Sequence, residues 1–411
     1  MNQSSAGLFQ DLGIHINREI VVVIDPGHGG LNSGADDGAS YDGRTERFIN
    51  LQTANAMYDE LSQYDNVKVY LTRNSPDVQM SLKERAQFAQ SVGADYLISL
   101  HFNASESHLL YGSEVWIPSV GNYYVEGYKI GDAVLKEFRT LGLNIRGIKT
   151  RVGDDGDEYY GIIRESEKLG INSVIIEHCH LDNSNDSRFC DSETDFVQFG
   201  KADATALAKY LGLSSSKLSV DYSAYQNVNI NVPGSRVYQD STPPDRCNVE
   251  LVENVKGDGN LEFCIEAYDS QSGLNYYSYS LDGGNSYSDL FVWNDNDGDG
   301  AINVILNGIH VNNAELVVRV YNKYDLFTES NMLTVSGIKE EENGHTDTEN
   351  TTDSLPGMTE TTHDFNTETK DLSHEASRYD NKDKLGIGAV LVCLGVCLTA
   401  ILVKKLGKHG R

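Results

Sequence analysis

Between residues 19 and 212, short apolar runs alternate with longer stretches whose apolar residues recur about every 3.6 positions. The stretch that begins at Thr45 shows this period at Phe48, Leu51, Met57, Tyr58 and Leu61. Strands separated by helices of such length pair in parallel, so the pattern predicts an α/β fold with a mostly parallel sheet flanked by helices. The predicted strands are 19–24, 67–71, 96–100, 114–117 and 173–176, and the predicted helices are 45–63, 81–92, 123–141 and 195–211.

The pattern changes between residues 218 and 336, where short runs alternate apolar and polar residues. Runs such as 261–267 are separated by turns rich in Gly, Asp and Asn, which predicts a β-sandwich. Three segments resemble parts of the Ig-like domains of bacterial surface proteins: Ala267-Tyr-Asp269, Ser272-Gly-Leu274 and Tyr279-Ser-Leu-Asp-Gly-Gly284. That resemblance implies an architecture but no ligand.

The C-terminal residues differ from everything before them. Residues 337–384 are rich in Thr, Glu, Asp and Asn, which predicts a disordered acidic stalk. Residues 385–403 carry no charge and are mostly apolar, and as a helix they would span about 28 Å. Basic residues follow in 404–411, which places the C-terminus in the cytoplasm. The pattern therefore predicts a transmembrane helix with the rest of the chain outside; a buried core helix is the alternative.

Composition narrows the function classes. The 411 residues carry 33 basic and 61 acidic side chains, a formal net charge of -28. Phosphate backbones are bound by Lys and Arg surfaces, so this charge argues against nucleic acid as a partner. The N-terminal segment lacks the apolar stretch of a signal peptide, which leaves the route of export open. We divide the chain into this segment (1–18), an α/β domain (19–215), the β-sandwich (218–336), the stalk (337–384), the transmembrane helix (385–403) and a basic cytoplasmic tail (404–411).

Polar residues directly follow three of the predicted strands. His28 follows the first strand, within Asp25-Pro-Gly-His-Gly-Gly30, and His101 and Glu177 each follow a later one. Ligands of open α/β sheets lie beyond the carboxyl ends of the strands, so we expect these side chains to converge. Glu46, at the start of the first predicted helix, is a fourth candidate. Two imidazoles and a carboxylate form a common open zinc site, with water in the fourth position.

An ordered set of motifs extends over nearly all of residues 19–212. It consists of Asp25-Pro-Gly-His-Gly-Gly30 with Gly34-Ala35, Glu46 with Asn50-Leu51, Leu71-Thr-Arg73, Leu82 with Arg85, Ser99-Leu-His-Phe-Asn-Ala104, Gly112-Ser-Glu-Val115, and Ile176-Glu177 with Asn183. These motifs resemble the zinc-dependent N-acetylmuramoyl-L-alanine amidase family, the type 3 amidase domain. The resemblance implies that His28, Glu46 and His101 bind one zinc ion and that Glu177 is the catalytic carboxylate. It also implies the substrate, the amide between N-acetylmuramic acid and L-alanine in peptidoglycan.

The sequence departs from the family pattern directly after Glu177. The usual continuation is a small residue, Gly and Phe, whereas His178, Cys179 and His180 follow in this chain. They would add a zinc ligand or alter specificity, or they merely line the cleft, which is the interpretation we favour. Cys179 is also a candidate disulfide partner of Cys190 in an oxidising environment.

Four further features of the α/β domain have two interpretations each. Asn103 either donates to substrate or orients a metal ligand, or it is a turn residue. Arg73 and Arg85 face a carboxylate of the peptide stem or form structural ion pairs, and we favour the ion pairs. Residues 36–42 touch substrate or form a solvated loop near the cleft, and we favour the solvated loop.

The β-sandwich region carries two candidate sites. Asp295, Asp297 and Asp299 alternate and precede a glycine, as at the start of a calcium loop, but Leu306 stands where that loop needs a glutamate. Calcium remains one interpretation, and an acidic hairpin turn is the favoured one. Cys247 and Cys264 lie on neighbouring predicted strands and are candidates for a disulfide.

Taken together, the predicted membrane span and the family resemblance imply a membrane-anchored hydrolase of the bacterial cell wall. Its single membrane span would leave the catalytic domain on the cell-wall side, with the Ig-like domain as a spacer or docking module. Two other hypotheses stay open. One is an inactive cell-wall-binding or adhesion protein that keeps the fold, and the other is a zinc peptidase that acts on another cell-wall amide.

Overall fold

The computed structural model describes residues 18–30, 36–225, 232, 239–252 and 257–338. Its centre is a six-stranded sheet with the strand order β4-β1-β5-β8-β6-β7. The strands are β1 (Ile20–Pro26), β4 (Val67–Leu71), β5 (Tyr96–Asn103), β6 (Ser113–Trp116), β7 (Ile145–Lys149) and β8 (Asn172–His180). β4, β1, β5 and β8 are parallel, whereas β6 is antiparallel to β8 and β7 runs with β6. The mostly parallel α/β sheet is thus confirmed, with a reversed pair at one edge.

Helices cover both faces of this sheet. α1 (Glu46–Leu61), α3 (Gly121–Leu141) and α6 (Glu193–Leu211) pack on one face, while α2 (Leu82–Ser91) and α4 (Gly161–Lys168) pack on the other. In β1, Val22 and Ile24 face the first layer and Val23 faces the second, because successive strand residues point to opposite faces. Burial on both faces explains why the parallel strands read as continuous apolar runs.

Local signals fix where several helices begin and end. Ser81 and Glu84 form a capping box at the start of α2, and Ser192 and Asp195 form another at the start of α6. α6 ends at Gly212, which has a left-handed conformation. A short helix, α5 (Ser184–Ser187), and two hairpins complete this region: β2 (Ser40–Tyr41) with β3 (Arg44–Thr45), and β9 (Ser214–Ser215) with β10 (Val220–Asp221).

Strand β7 and helix α4 were not predicted. β7 contains Arg146 and Lys149, which interrupt the apolar pattern expected of a strand in the sheet. Both charged side chains are nonetheless buried. Their partners come from other elements, so no local pattern could have indicated them.

The remainder of the described chain forms two antiparallel sheets. One has the order β11-β12-β15 and the other β14-β13-β16-β17, with β18 also paired to β16. The strands are β11 (Arg246–Leu251), β12 (Leu261–Tyr268), β13 (Leu274–Ser280), β14 (Phe291–Val292), β15 (Ala301–Leu306), β16 (Asn313–Asn322), β17 (Phe327–Glu329) and β18 (Leu333–Ser336). In β12 buried residues alternate with more exposed ones, as the period of two predicted.

The fold divides into two compact units. Over the described residues, the larger contains 18–252, 262–304 and 313–336, and the smaller contains 257–261, 305–312 and 337–338. Within the smaller unit, Gly259 donates to the Ile338 carbonyl (2.7 Å) and accepts from Ile309 (2.8 Å). The larger unit includes the α/β region and most of the two antiparallel sheets; the Ig-like assignment and the domain boundaries stay predictions.

The predicted membrane helix, 385–403, lies outside the described residues, as do nearly all of the predicted stalk and the N-terminal segment. Within the described part of the chain, none of the helices combines the length and the apolar character needed to cross a bilayer.

The candidate disulfide between Cys247 and Cys264 is wrong. In the pairing of β11 with β12, Cys247 lies opposite Ala267 and Cys264 lies opposite Glu250. Three positions separate Cys264 from Ala267, so the two thiols point to opposite faces of the sheet. Both cysteines are free.

Gly200 allows α1 and α6 to approach closely. A Cβ atom at Gly200 would lie 2.3 Å from the Thr53 carbonyl oxygen and 2.7 Å from the Met57 nitrogen. Both atoms belong to the α1 backbone, so a larger residue must push the two helices apart.

We predict that Gly200→Ala lowers the free energy of unfolding by about 1–3 kcal/mol, the usual cost of overpacking. In an exposed helix the same change would instead stabilise by about 1 kcal/mol. Urea denaturation would measure the effect, with exposed Lys201→Ala as a control expected to shift stability by no more than about 0.5 kcal/mol. A more stable Gly200→Ala protein would contradict this packing.

Candidate functional site

The loop after β1 is fixed by a buried ion pair. Asp25 accepts hydrogen bonds from Arg85 (2.6 Å), Thr72 (2.5 Å) and Ser99 (2.9 Å). Burial would raise the pKa of Asp25, but Arg85 and the two hydroxyls outweigh it and lower the pKa. The Arg85 guanidinium also donates to the carbonyls of Pro26 and His28, so the same ion pair sets the path of the loop.

Arg73 supports the loop from the other side. Its guanidinium donates to the carbonyl oxygens of Pro26 (2.9 Å), Gly27 (2.7 Å) and Arg47 (2.8 Å). Arg73 and Arg85 are only 2% and 3% exposed, so neither presents its charge to a substrate. Both are structural: Arg85 through its ion pair and Arg73 through backbone carbonyls.

Two glycines let the candidate metal ligands approach one another. A Cβ atom at Gly27 would lie 2.2 Å from Cε1 of the His101 ring, so only glycine leaves room for that ring. Gly38 has φ +67°, and a Cβ there would lie 2.3 Å from Oε2 of Glu46. Glycine is therefore required at both positions by contact with the site itself.

Glu46 is the centre of the cluster. Its Oε2 lies 3.1 Å from Nε2 of His28, and its Oε1 lies 2.9 Å from Nδ1 of His101. The carboxylate is buried at the start of α1 and accepts from the backbone N–H of Ala39 (2.7 Å) and Phe102 (3.1 Å). Burial opposes the charge of Glu46, but His28 and His101 outweigh it and lower its pKa well below the usual range. Thr45 occupies the N-cap position of α1, although its side chain makes no capping hydrogen bond.

The second ring nitrogen of His28 is paired as well. Nδ1 of His28 lies 2.6 Å from Oδ1 of Asp36. Burial would lower the pKa of His28, but Glu46 and Asp36 outweigh it and raise the pKa to about 10. The two carboxylates thus make this position favourable for a cation, whether a proton or a metal ion.

The cluster fits a zinc ion by its donor chemistry. Within the described residues, His28, Glu46 and His101 form the one group of ligand side chains able to hold a metal, with donor atoms within 4.8 Å of one another. Zinc bonds of about 2.0–2.1 Å at tetrahedral angles place donor atoms roughly 3.3 Å apart. The 2.9 Å and 3.1 Å separations join the two rings to different oxygens of Glu46, so the fit to zinc rests on the identity and closeness of the donors.

Glu177 lies beside this cluster. In the sheet register it is paired with His101 of β5 on one side and with Glu114 of β6 on the other. Burial raises the pKa of Glu177 well above its usual range, and the carboxylates of Glu46 and Glu114 raise it further. Its buried Oε2 has no hydrogen-bond partner among the described residues. Sequence reasoning expected these strand ends to converge, and the structure brings His28, Glu46, His101 and Glu177 to one edge of the sheet.

His178, Cys179 and His180 do not line the cleft, so the favoured interpretation was wrong. His178 stacks on Phe102 in the core (ring centroids 4.7 Å apart) and lies 2.8 Å from Asp203. His180 is buried, and burial lowers its pKa to about 3. None of the three belongs to the metal-ligand group found in the described chain.

Three other sequence expectations can be compared with the structure. The candidate disulfide between Cys179 and Cys190 is not formed: both thiols are buried and free, and the Cys190 thiol donates to the Asp186 carbonyl. Asn103 is not a turn residue, because it ends β5 and its amide donates to Glu114 (3.2 Å); donation to substrate stays a prediction. Asp295 accepts from the backbone N–H of Gly298 (2.7 Å) and Gly300 (2.8 Å), which forms a tight acidic turn; calcium binding there stays an open prediction.

Comparison with known proteins identifies the family. Residues 22–209 match the family model for N-acetylmuramoyl-L-alanine amidase. The chain is 32% identical over 200 residues to the N-acetylmuramoyl-L-alanine amidase CwlM of Bacillus licheniformis, covering 48% of this chain and 71% of that protein. The chain belongs to the N-acetylmuramoyl-L-alanine amidase family.

Other relatives match this amidase-family chain over shorter stretches. The sporulation-specific N-acetylmuramoyl-L-alanine amidase of Bacillus subtilis is 38% identical over 86 residues, which are 21% of this chain and 32% of that protein. The AmiC amidase of Escherichia coli is 39% identical over 100 residues, 24% of this chain and 23% of that protein. The chain therefore spans a third or less of these two relatives. Among solved structures, the catalytic domain of CwlV from Bacillus (Paenibacillus) polymyxa is 28% identical, with 47% of this chain and 98% of that chain covered and a TM-score of 0.39.

Sequence reasoning missed the role of Asp36 in this amidase-family site. Residues 36–42 were expected to form a solvated loop, yet Asp36 reaches back to a candidate metal ligand. The available signal was an acidic residue eight positions after a candidate ligand histidine. The two side chains meet because the Gly29 N–H donates to the Asp36 carbonyl (2.8 Å), and this backbone contact has no sequence signature.

We predict that Asp36→Ala weakens zinc binding about 10- to 100-fold, because a carboxylate that orients a ligand histidine contributes that much to affinity. Competition with a chromophoric chelator would measure the dissociation constant. The matched control is Asp37→Ala, which removes a neighbouring carboxylate paired with Arg47 instead of His28. Equal zinc affinity of the two variants would contradict this role.

Proposed function

We propose that this protein hydrolyses the amide bond between N-acetylmuramic acid and L-alanine in peptidoglycan, with zinc bound by His28, Glu46 and His101. Membership of the amidase family supports the reaction and the substrate. The observation that carries the proposal is the cluster of two imidazoles and one buried carboxylate with Glu177 beside it.

The proposed roles follow from the chemistry of each group. A zinc ion at this cluster would supply Lewis acidity, which polarises the scissile carbonyl and lowers the pKa of water. His28 and His101 offer neutral nitrogen donors, and Glu46 offsets positive charge. Because Gly27 has no side chain, the ring of His101 packs directly against the loop backbone. This contact holds His101 in position before substrate binds.

Glu177 is the proposed general base and acid. It takes a proton from the attacking water and passes one to the departing amine of L-alanine. Three features support this role: a position next to His101 in the register, an Oε2 atom that lacks a hydrogen-bond partner in the described chain, and a pKa raised by burial and neighbouring carboxylates. A raised pKa makes proton transfer to the amine easier than for an ordinary carboxyl group.

The location follows from the substrate. Peptidoglycan lies outside the cytoplasmic membrane, so the catalytic region would act on the cell-wall side. The membrane tether at 385–403 and the Ig-like architecture remain predictions from the sequence.

We expect Glu177→Gln to lower kcat about 10²- to 10⁴-fold, the usual contribution of a general acid–base, while zinc content stays at the wild-type level. The assay is digestion of purified peptidoglycan, followed by mass spectrometry for new lactyl-muramyl ends and new amino groups on L-alanine. Glu165→Gln is the control, because Glu165 forms a surface ion pair with Lys168 away from the cluster. Full activity of Glu177→Gln would refute the mechanism, and cleavage at a different amide would refute the substrate bond.

Metal removal gives an independent test. We expect dialysis against a chelator to abolish hydrolysis, and stoichiometric zinc to restore it, because the donor set fits zinc. His101→Ala should lose both the bound metal and the activity. The metal content after chelation must be shown to be below about one-tenth of stoichiometric. If such protein still hydrolysed peptidoglycan at the original rate, the result would argue against metal assistance.

A further inference from the structure

Glu114 lies directly opposite the proposed general base. β6 and β8 are antiparallel, and their register pairs Glu114 with Glu177. Residues paired in this way point to the same face of the sheet, with Cβ atoms about 5 Å apart, and like charges at such positions repel. Glu114 therefore acts by its charge and position on Glu177. We call the end of the sheet that carries His28, Glu46, His101 and Glu177 the catalytic edge.

Four donors fix the Glu114 carboxylate. Its Oε2 accepts from Nε of Arg146 (2.7 Å) and Nζ of Lys149 (2.6 Å), and its Oε1 accepts from Asn103 (3.2 Å) and the Trp116 indole (3.1 Å). Burial would raise the pKa of Glu114, but Lys149 and Arg146 outweigh it and keep the pKa well below the usual range. Glu114 is thus a buried anion with two buried cations beside it.

Asp325 supplies the missing negative charge. Nη2 of Arg146 donates to Oδ2 of Asp325 (2.6 Å), on the turn between β16 and β17. With this contact the three buried residues Glu114, Arg146 and Lys149 and the partly exposed Asp325 (28% exposed) form a cluster of two cations and two anions. Removal of the Asp325 charge would leave this cluster with one more cation than anions, and the charge of Arg146 acts on Glu177.

The turn that carries Asp325 is hydrogen-bonded to the residue that directly follows β7, the edge strand of the central sheet. The Tyr324 hydroxyl donates to the Thr150 carbonyl and accepts from the Thr150 N–H (both 3.1 Å). The Asn322 side chain accepts from the backbone N–H of Tyr324 (3.0 Å) and Leu326 (3.1 Å), which fixes the turn itself. The second, β-rich region therefore packs against the catalytic region through an ordered polar contact.

We propose that Asp325 is a positioning residue for the catalytic edge, acting through Arg146 and Glu114 on Asn103 and Glu177. This inference rests on the proposed function, because it assigns Asp325 to the site that would hydrolyse the amide. It gives the β-rich region a role beyond that of a spacer: one of its turns completes the charge cluster next to the proposed general base.

The principal test is Asp325→Asn in the full chain, which keeps the shape of the side chain and removes its charge. We expect kcat on peptidoglycan fragments to fall about tenfold, with KM within about twofold and zinc content unchanged. The matched control is Glu329→Gln, which breaks the exposed pair with Arg319 nearby in the same region and should leave kcat unaltered.

A double-mutant cycle distinguishes positioning from general stabilisation. If Asp325 acts through Glu114, its substitution should have little further effect on kcat in a Glu114→Gln background. Asp325→Glu, which retains the charge, should retain most of the activity. Independent, multiplicative effects of Asp325→Asn and Glu114→Gln would overturn the proposal, as would a lowered melting temperature with wild-type kcat at 25 °C.

Two further outcomes keep the test decisive. If Asp325→Asn does not fold, Arg146→Lys addresses the same link, since it keeps the charge but loses the planar fork that joins Glu114 to Asp325. Wild-type kcat in Arg146→Lys would then overturn the proposal. An inactive wild-type protein would refute the proposed function, whereas an active wild type with a fully active Asp325→Asn would refute this inference alone.

Discussion

The buried carboxylate of Glu46 is the interaction on which the catalytic edge depends. A carboxylate removed from water must be compensated by hydrogen-bond donors and positive charge. Glu46 obtains them from the N–H groups of Ala39 and Phe102 and from the imidazoles of His28 and His101. These partners belong to the loop after β1, the segment before α1 and the end of β5. Satisfying one charge therefore fixes three elements relative to one another.

Two further buried carboxylates repeat this principle around the same edge. Asp25 accepts hydrogen bonds from donors in β5, in α2 and directly after β4. These bonds fix the loop that carries His28. Glu114 collects donors from β5, β6 and β7 and faces Glu177. Buried ion pairs contribute little net stability compared with apolar packing, so their value here is in position. Each buried carboxylate of the site is held by hydrogen bonds or ion pairs to residues that are distant in the sequence.

Much of the fold was predictable because its signals are local. The capping boxes at Ser81 and Ser192 and the apolar period of the helices depend on residues within a few positions of one another. Prediction failed where a polar residue is buried with a distant partner. β7 was missed because Arg146 and Lys149 interrupt its apolar pattern, and His178 was misplaced because its partner, Asp203, lies 25 positions away on α6.

The sequence by itself determined the alternation of strands and helices and the identity of the chemical groups, His28, Glu46, His101 and Glu177, because residue type and local period are properties of the chain. Only the tertiary structure decided how these groups are supported. The pairing of Glu114 with Glu177 depends on strand order and register, and the contact between Arg146 and Asp325 joins residues 179 positions apart. Such partnerships are set by how the elements pack, since a hydrogen bond depends on distance and direction in space and carries no signature in the spacing of the two residues along the chain.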